Sequence, residues 1–268
     1  MIETAAYEDV IQIRMSREMD GRAVYGVAAY LVDRLLVDTG CSHTAGELVD
    51  FLGEEDLRLV VNTHHHEDHT GADQEIMDRF GVDIYAHPRS IPLIADRLEL
   101  HPYQELVWGY RVPATVSPVP DVVRTEHHAF HVVETPGHSA DHICLVEPST
   151  GWCFSGDLFA RENPKFIRPE EHVGRIIASM RRIVALPSDR LVLFTSVGKI
   201  VEDGRKALSQ CIDYLLDLAE QVQGLHRAGM TIEEIMQRHF GGEHPFAGLT
   251  NGQFSTYNLV RSLLEDVS

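Results

Sequence analysis

The sequence predicts a layered α/β protein, with sheets inside and helices outside. Three observations carry this expectation. Short runs rich in β-branched and aromatic residues alternate with amphipathic runs over most of the chain. The last part, from about Asp203 onward, turns wholly helical in pattern. The 268 residues, 44% of them hydrophobic, suffice for one large domain with a sizeable core.

The elements follow in order. "VYGVAAYLVDRLLVDTG" reads as two strands around a turn at Asp33 and Arg34. "AGELVDFLG" has helical spacing and stops at Gly53, and "LRLVVNT" is a short β-rich run. "DQEIMDRFG" is a helix ended by Gly81, and "VDIYA" is the next strand. His87 to Pro120 is proline-rich and too long for an ordinary connection, so it reads as a functional loop or small insertion. "AFHVVETPG" is a strand, and "HICLVEPSTGWCFSG" contains a hairpin. Residues 170–186 read as helix and "RLVLFTS" as strand. Three helical runs follow: "RKALSQCIDYLLDLAEQVQGLHRAG", "TIEEIMQRHF" and "STYNLVRSLLE".

Charge and composition narrow the partners. With 23 basic and 41 acidic residues the net charge is −18. Such a field repels phosphate backbones and anionic membranes, so nucleic acid is disfavoured and a small-molecule substrate is expected. No apolar run reaches membrane-spanning length. The N-terminus lacks a signal-peptide pattern, and Cys41, Cys144, Cys153 and Cys211 form no CxxC pair. Buried thiols and a cytoplasmic protein are expected, and a homo-oligomer is compatible with the sequence.

The chemistry concentrates in "THHHEDHTG", residues 63–71, directly after a strand. His64 and His66 sit where the chain begins to turn, and Asp68 and His69 where the next helix would begin. Imidazole and carboxylate together suit Zn²⁺, Fe²⁺ or Mn²⁺. His65 would point the other way. "TPGHSADH" offers His138 and "FSGDLF" offers Asp157, each again after a strand and a tight turn.

These segments, with "LLVDTG" upstream, resemble the metallo-β-lactamase superfamily over roughly residues 20–200. The resemblance implies an αββα sandwich with the site at one edge of two facing sheets. It divides the chain into a domain of residues 1–202 and a C-terminal helical segment, 203–268, packed on it. It implies that His64, His66 and His138 hold one metal, that Asp68 and His69 help hold a second, and that Asp157 bridges. Asp38 would aim a ligand histidine. His142 is equally a residue behind the ligands, a residue on the substrate side, or an exposed strand histidine. An aspartate at 157 is similar to the glyoxalase-II-like and lactamase-beta-2-like branches.

One expected ligand is missing. The superfamily usually supplies a last histidine after a late strand, and here Val197 of "TSVGKI" stands in that place. One metal is therefore expected to bind tightly and the second weakly or in altered form. His43, His172, His239 and His244 are the unassigned histidines available to substitute, and a degenerate scaffold is the remaining alternative. Zn²⁺ is the expected ion, with Fe and Mn as the others.

A metal lowers the pKa of its bound water from about 15.7 to about 7, and the resulting hydroxide attacks a carbonyl or phosphoryl centre. Asp68 can orient the nucleophile and move protons. The expected activity is hydrolysis of a small ester, thioester, lactone or lactam. The alternatives are a mononuclear iron oxygenase of the persulfide-dioxygenase kind, an endoribonuclease, and a non-enzymatic metal-binding module. Tyr103, Trp108 and Tyr110 form a lid or pack on the sandwich, and Lys165 and Lys199 are the lysines available to an anionic group.

Overall fold

Tight two-residue turns start the chain folding. A computed structural model describes residues 1–265. Strand β2 (Val10–Met19) turns through Asp20 and Gly21, both at positive φ, into β3 (Arg22–Val32). Asp33 and Arg34, at φ 45° and 68°, then turn β3 into β4 (Leu35–Val37). Two left-handed residues match the twist of the flanking strands, and aspartate tolerates that conformation.

The first sheet has seven strands in sequential order. β1 (Ile2–Tyr7), β2, β3 and β4 pair antiparallel. β4, β5 (Leu59–Val61), β6 (Asp83–Ala86) and β7 (Ser117–Pro118) pair parallel. Parallel pairing needs crossovers, which α1 (Ala45–Leu52) and α2 (Asp73–Phe80) supply. Gly81 ends α2 at φ 65°, the left-handed cap that glycine takes without cost. The segment 87–120 carries two short helices, α3 (Ser90–Ala95) and α4 (Pro102–Val107), besides β7.

The second sheet has six strands: β8 (Val122–Arg124), β9 (Ala129–Glu134), β10 (Ile143–Glu147), β11 (Trp152–Gly156), β12 (Val192–Thr195) and β13 (Ile200–Val201). Its order is β13-β12-β11-β10-β9-β8. Only β11 and β12 run parallel, joined through α5 (Val173–Val184). The hairpin expected in "HICLVEPSTGWCFSG" is β10–β11.

Three apolar layers hold these parts together. Between the sheets, Tyr30, Val37 and Val61 meet Phe130, Trp152, Phe154 and Phe194. Phe154 and Phe194 stack at 4.9 Å, and the Tyr30 hydroxyl donates to Thr195 O at 2.6 Å, which satisfies its one buried polar atom. Outside the first sheet, α1 and α2 bury Leu48, Leu52 and Ile76. Outside the second, α5 packs with α6 (Gly204–Arg227), α7 (Ile232–Phe240) and α9 (Thr256–Leu263) in one cluster around Ile177, Leu208, Val222 and Leu259. The layers run helix, sheet, sheet, helix. A short α8 (Pro245–Leu249), which the sequence pattern did not suggest, lies between α7 and α9. Among the described residues no helix is long and apolar enough to cross a membrane.

This architecture brings the ends of β4, β5, β9, β11 and β12 to one rim. Asp38, the histidine cluster, His138, Asp157 and Val197 follow those five strands. The carboxyl ends of parallel strands open a crevice where side chains from separate loops converge.

Candidate metal centre

The loop after β5 delivers most of the site. His64, His66, Asp68 and His69 are all buried there. His64 Nε2 lies 2.9 Å from His66 Nδ1, and His138 Nε2 lies 3.0 Å from the same atom. Asp157 Oδ2 is 3.0 Å from His138 Nε2. His64, His66, His138 and Asp157 each offer one ligand atom, and these atoms all lie within 4.8 Å of one another. Ligands of a single tetrahedral ion at 2.0–2.1 Å stand roughly 3.3 Å apart, so this donor set fits one metal.

A second group adjoins the first. His69 Nε2 lies 3.6 Å from Asp157 Oδ1 and 4.0 Å from Asp68 Oδ1. His69 Nε2 and Asp68 Oδ1 are buried without any hydrogen-bond partner. Buried polar atoms are seldom left so. Asp157 thus turns Oδ2 toward the first group and Oδ1 toward the second. Ser196 Oγ also donates to Asp157 Oδ1. Val197 lines the same cavity as Asp68 and Asp157 and offers no lone pair. His43, His172, His239 and His244 do not join these groups. His43 lies against Glu105 O at 2.9 Å, His172 and His244 cap α5 and α8, and His239 borders a separate surface pocket.

The residues behind the ligands set their tautomers. Asp38 stands at φ 61°, buried. Its Oδ1 accepts from Thr63 N–H at 2.7 Å, and its Oδ2 accepts from Thr63 Oγ1 at 2.9 Å and faces His69 Nδ1 at 2.8 Å. A proton held on His69 Nδ1 leaves Nε2 free to ligate. Thr63 Oγ1 also lies 3.1 Å from His64 Nδ1, so the same carboxylate acts on His64 through one hydroxyl. His142 is buried: Nε2 accepts from Asp157 N–H at 3.1 Å, and Nδ1 faces Thr135 Oγ1 at 2.8 Å. It holds the main chain that carries Asp157. Gly156 makes this approach possible. A Cβ there would lie 2.7 Å from His142 Nε2 and 2.9 Å from Thr63 Oγ1, and φ is 47°. His65 points away and pairs with Asp141 at 2.9 Å.

Burial and neighbouring charge divide the ionisation states. Burial holds His64 and His66 far below the usual histidine range, helped by the neighbouring imidazoles at His64 and by the Arg168 guanidinium and then the imidazoles at His66. Burial also opposes charge on His138, but the carboxylates of Asp157 and Glu171 push it up to about 10. His69 is likewise raised by Asp38, Asp157 and Asp68 against the cost of burial. Burial, reinforced by Glu67 and Asp157, lifts Asp68 to about 6 although His69 opposes it. Asp157 is held well below its ordinary value by His138 and His69, in spite of burial.

Around the mouth, Trp108 is buried in the cavity wall, whereas Tyr110 is exposed at the surface. Lys199 reaches Ala160 O at 3.3 Å, and Lys165 borders the separate pocket beside Tyr214. Neither lysine lines the cavity. Arg168, Glu171 and Thr63 do bear on the site, and the sequence pattern does not single them out. Thr63 was legible in principle, since it directly precedes the cluster. Arg168 and Glu171 sit in "IRPEEH", which has no strand-and-turn context to flag it.

The family model of the metallo-beta-lactamase superfamily matches residues 22–195. A hydroxyacylglutathione hydrolase of Chromohalobacter salexigens is 31% identical over 163 residues, which cover 59% of this chain and 54% of that protein. The chain thus spans about half the length of that relative. Lactamase-like protein aptB of Emericella nidulans is 27% identical over 255 residues, covering 85% of this chain and 74% of the relative. Among solved structures, a metallo-beta-lactamase family protein from Thermus thermophilus shares the fold. Its TM-score is 0.68 at 16% identity, over 97% of this chain and 92% of that one.

Proposed function

This chain belongs to the metallo-β-lactamase superfamily, and on that premise we propose that it hydrolyses a small ester, thioester, lactone or lactam. One observation carries the reading. A single cavity of about 150 Å³ is lined both by Asp68, His138 and Asp157 and by the apolar side chains of Ile176, Met180 and Leu215. Such a lining suits an acyl group whose carbonyl meets the polar residues.

His64, His66, His138 and Asp157 are the residues that would hold the first metal, and Zn²⁺ is the ion we assign to this donor set. Asp68, His69 and Asp157 would hold a second, with Val197 leaving it incomplete. When bound, such an ion supplies Lewis acidity and a water acidic enough to ionise near neutral pH. The chain supplies the rest. Asp38 and Thr63 fix the faces that His69 and His64 present. His142 keeps Asp157 in place through its main chain. Asp68 Oδ1, buried and unpartnered at the cavity, is positioned to hold or pass a proton. Trp108 and Phe254 line the same cavity.

The test is hydrolysis of a panel of 4-nitrophenyl esters, acyl thioesters and lactones by protein stripped with chelator and then reloaded with Zn²⁺. Turnover that disappears on stripping and returns on reloading is the expected result. No turnover across the panel, with metal bound and the fold intact, overturns the proposal. The valine at 197 favours a second reading, an iron oxygenase with two histidines and one aspartate on a single ion. Iron in protein purified without added metal, together with oxygen consumption, would replace the first reading by the second.

A further inference from the structure

Arg168 lines the cavity beside the candidate metal centre. It is 5% exposed, far more buried than arginine usually is without close pairing. Its guanidinium lies over the Trp108 ring at 5.6 Å and the Phe254 ring at 5.0 Å, and these three residues line the cavity together with Asp68 and His138. The nearest carboxylate oxygens are Glu170 at 3.8 Å and Glu67 at 3.9 Å, both beyond hydrogen-bonding reach. Glu67 is already taken by Gln104, which donates to it at 2.6 Å. Nε has no partner at all. The one acceptor within reach is His66 Nδ1, 3.5 Å from Nη1, and that lone pair is the one His66 would give to a metal.

A guanidinium carries five N–H donors in a flat fork. Burying it with Nε unpartnered and its nearest carboxylates beyond hydrogen-bonding reach is costly, so the fork has room for a closer acceptor. Two neighbours repeat the imbalance: Trp108 Nε1 and Tyr103 Oη are also buried without partners, and Tyr103 packs on Trp108 at 5.8 Å. Asp68 Oδ1, also unpartnered, lies 4.0 Å from His69 Nε2, and its carboxylate supports the charge on Arg168 without hydrogen-bonding to it. What would satisfy the arginine is an anion arriving through the cavity, accepted by the fork in the bidentate manner of carboxylates and phosphates.

We propose that Arg168 is the recognition group for a negatively charged substituent of the substrate, a carboxylate or phosphate carried close to the scissile bond. The word substrate rests on the hydrolase reading above, while the anion site itself does not. The site discriminates by charge. A neutral ester leaves the fork unsatisfied, and an ester bearing a carboxylate near its carbonyl fills it.

The experiment uses the full, Zn²⁺-loaded chain and two probes, succinate and inorganic phosphate, titrated calorimetrically. Wild type is compared with Arg168→Gln and Arg168→Lys after metal content and melting temperature are recorded for each. At least one probe should bind wild type and weaken about tenfold or more in Arg168→Gln, with Arg168→Lys between, since it keeps charge but loses the fork. If Arg168→Gln does not fold, Arg168→Lys alone decides, and a loss of at least threefold is expected. Failure of both probes to bind wild type, or equal binding by the variants, overturns the proposal and leaves Arg168 as a structural counter-ion to Glu67 and Glu170. In parallel, the kcat/KM ratio for 4-nitrophenyl hemisuccinate over 4-nitrophenyl acetate should fall at least tenfold in Arg168→Gln. Arg168-dependent anion binding without turnover of any ester would sink the hydrolase reading alone. Turnover with anion binding indifferent to residue 168 would sink this one alone.

Discussion

Asp38→Asn should weaken metal binding while leaving the chain folded, by reversing hydrogen bonds rather than deleting them. In the wild type Asp38 only accepts: from Thr63 N–H at 2.7 Å, from Thr63 Oγ1 at 2.9 Å, and from His69 Nδ1 at 2.8 Å. Asparagine tolerates the left-handed backbone at φ 61° and can keep the first bond through its oxygen. Its NH₂ then replaces Oδ2 and donates toward Thr63 Oγ1 and His69 Nδ1. His69 must accept at Nδ1, so its proton moves to Nε2. Thr63 Oγ1 turns its hydrogen toward His64 Nδ1, 3.1 Å away, and drives the proton of His64 to Nε2 as well. Both nitrogens meant for metal become donors. Removing one such orienting partner costs roughly 10–100-fold in affinity, and two imidazoles are affected here, so the expected loss lies toward 100-fold. Exchanging two charge-assisted hydrogen bonds for neutral ones should cost about 1–3 kcal/mol of stability, or roughly 2–12 °C in Tm. The assay is a chelator competition titration followed by elemental analysis, with circular dichroism to verify the fold. Thr63→Val, which cuts only the link to His64, should lose less. A folded Asp38→Asn protein whose metal retention overlays wild type would refute the tautomer assignment.

Three further expectations follow from the same geometry. His64→Ala and His138→Ala should each lose the tightly held metal on dialysis, and full retention in both would mean the ligands lie elsewhere. Val197→His should raise the metal retained per chain above the wild-type amount, because an imidazole would join Asp68, His69 and Asp157 in the cavity. An unchanged amount in a folded variant would show that residue 197 does not reach the second group. In the metal-free protein, His138 is raised from near 6.5 to about 10, so the stability gained from its charge is full below about 6.5 and is lost as pH rises toward 10. The Tm difference between chelated wild type and His138→Gln should therefore shrink between pH 6.5 and pH 10, and a constant difference would contradict the sign.

Much of this arrangement was legible because sequence spacing and local geometry coincide. A strand followed by HxHxDH places several donors at one point, and TPGH and SGD repeat the same strand-turn-ligand design. The two-residue turn at Asp33 and Arg34 and the glycine end of α2 declare themselves through backbone preference. Other parts depend on contacts far apart in sequence. Strand β2 runs "VIQIRMSREM", with Val10, Ile13, Met15 and Ser16 buried, so its inward residues do not alternate strictly, and neither β1 nor β2 is evident from pattern alone. His142 reads three ways in the sequence because nothing local says that its ring reaches residue 157. The sequence points to two lysines rather than to Arg168, since the burial that makes a guanidinium informative exists only where Trp108 and Phe254, far away in sequence, pack on it.

The cavity walls divide the labour along the chain. The candidate donors lie between His64 and Asp157, within the stretch that the superfamily shares. Cys211, Leu215, Phe254 and Leu259, which shape the space where a guest would rest, come from beyond residue 195. The shared stretch therefore carries the candidate donors and part of the cavity wall, Trp108, Arg168, Ile176 and Met180 among it, while the rest of the wall lies outside it. Two relatives identical at every donor atom can accept different molecules if their last seventy or so residues differ. Selection for a new substrate has a route here that leaves the reactive rim untouched: exchange side chains on α6, α9 and the loop before α9, and keep the histidines.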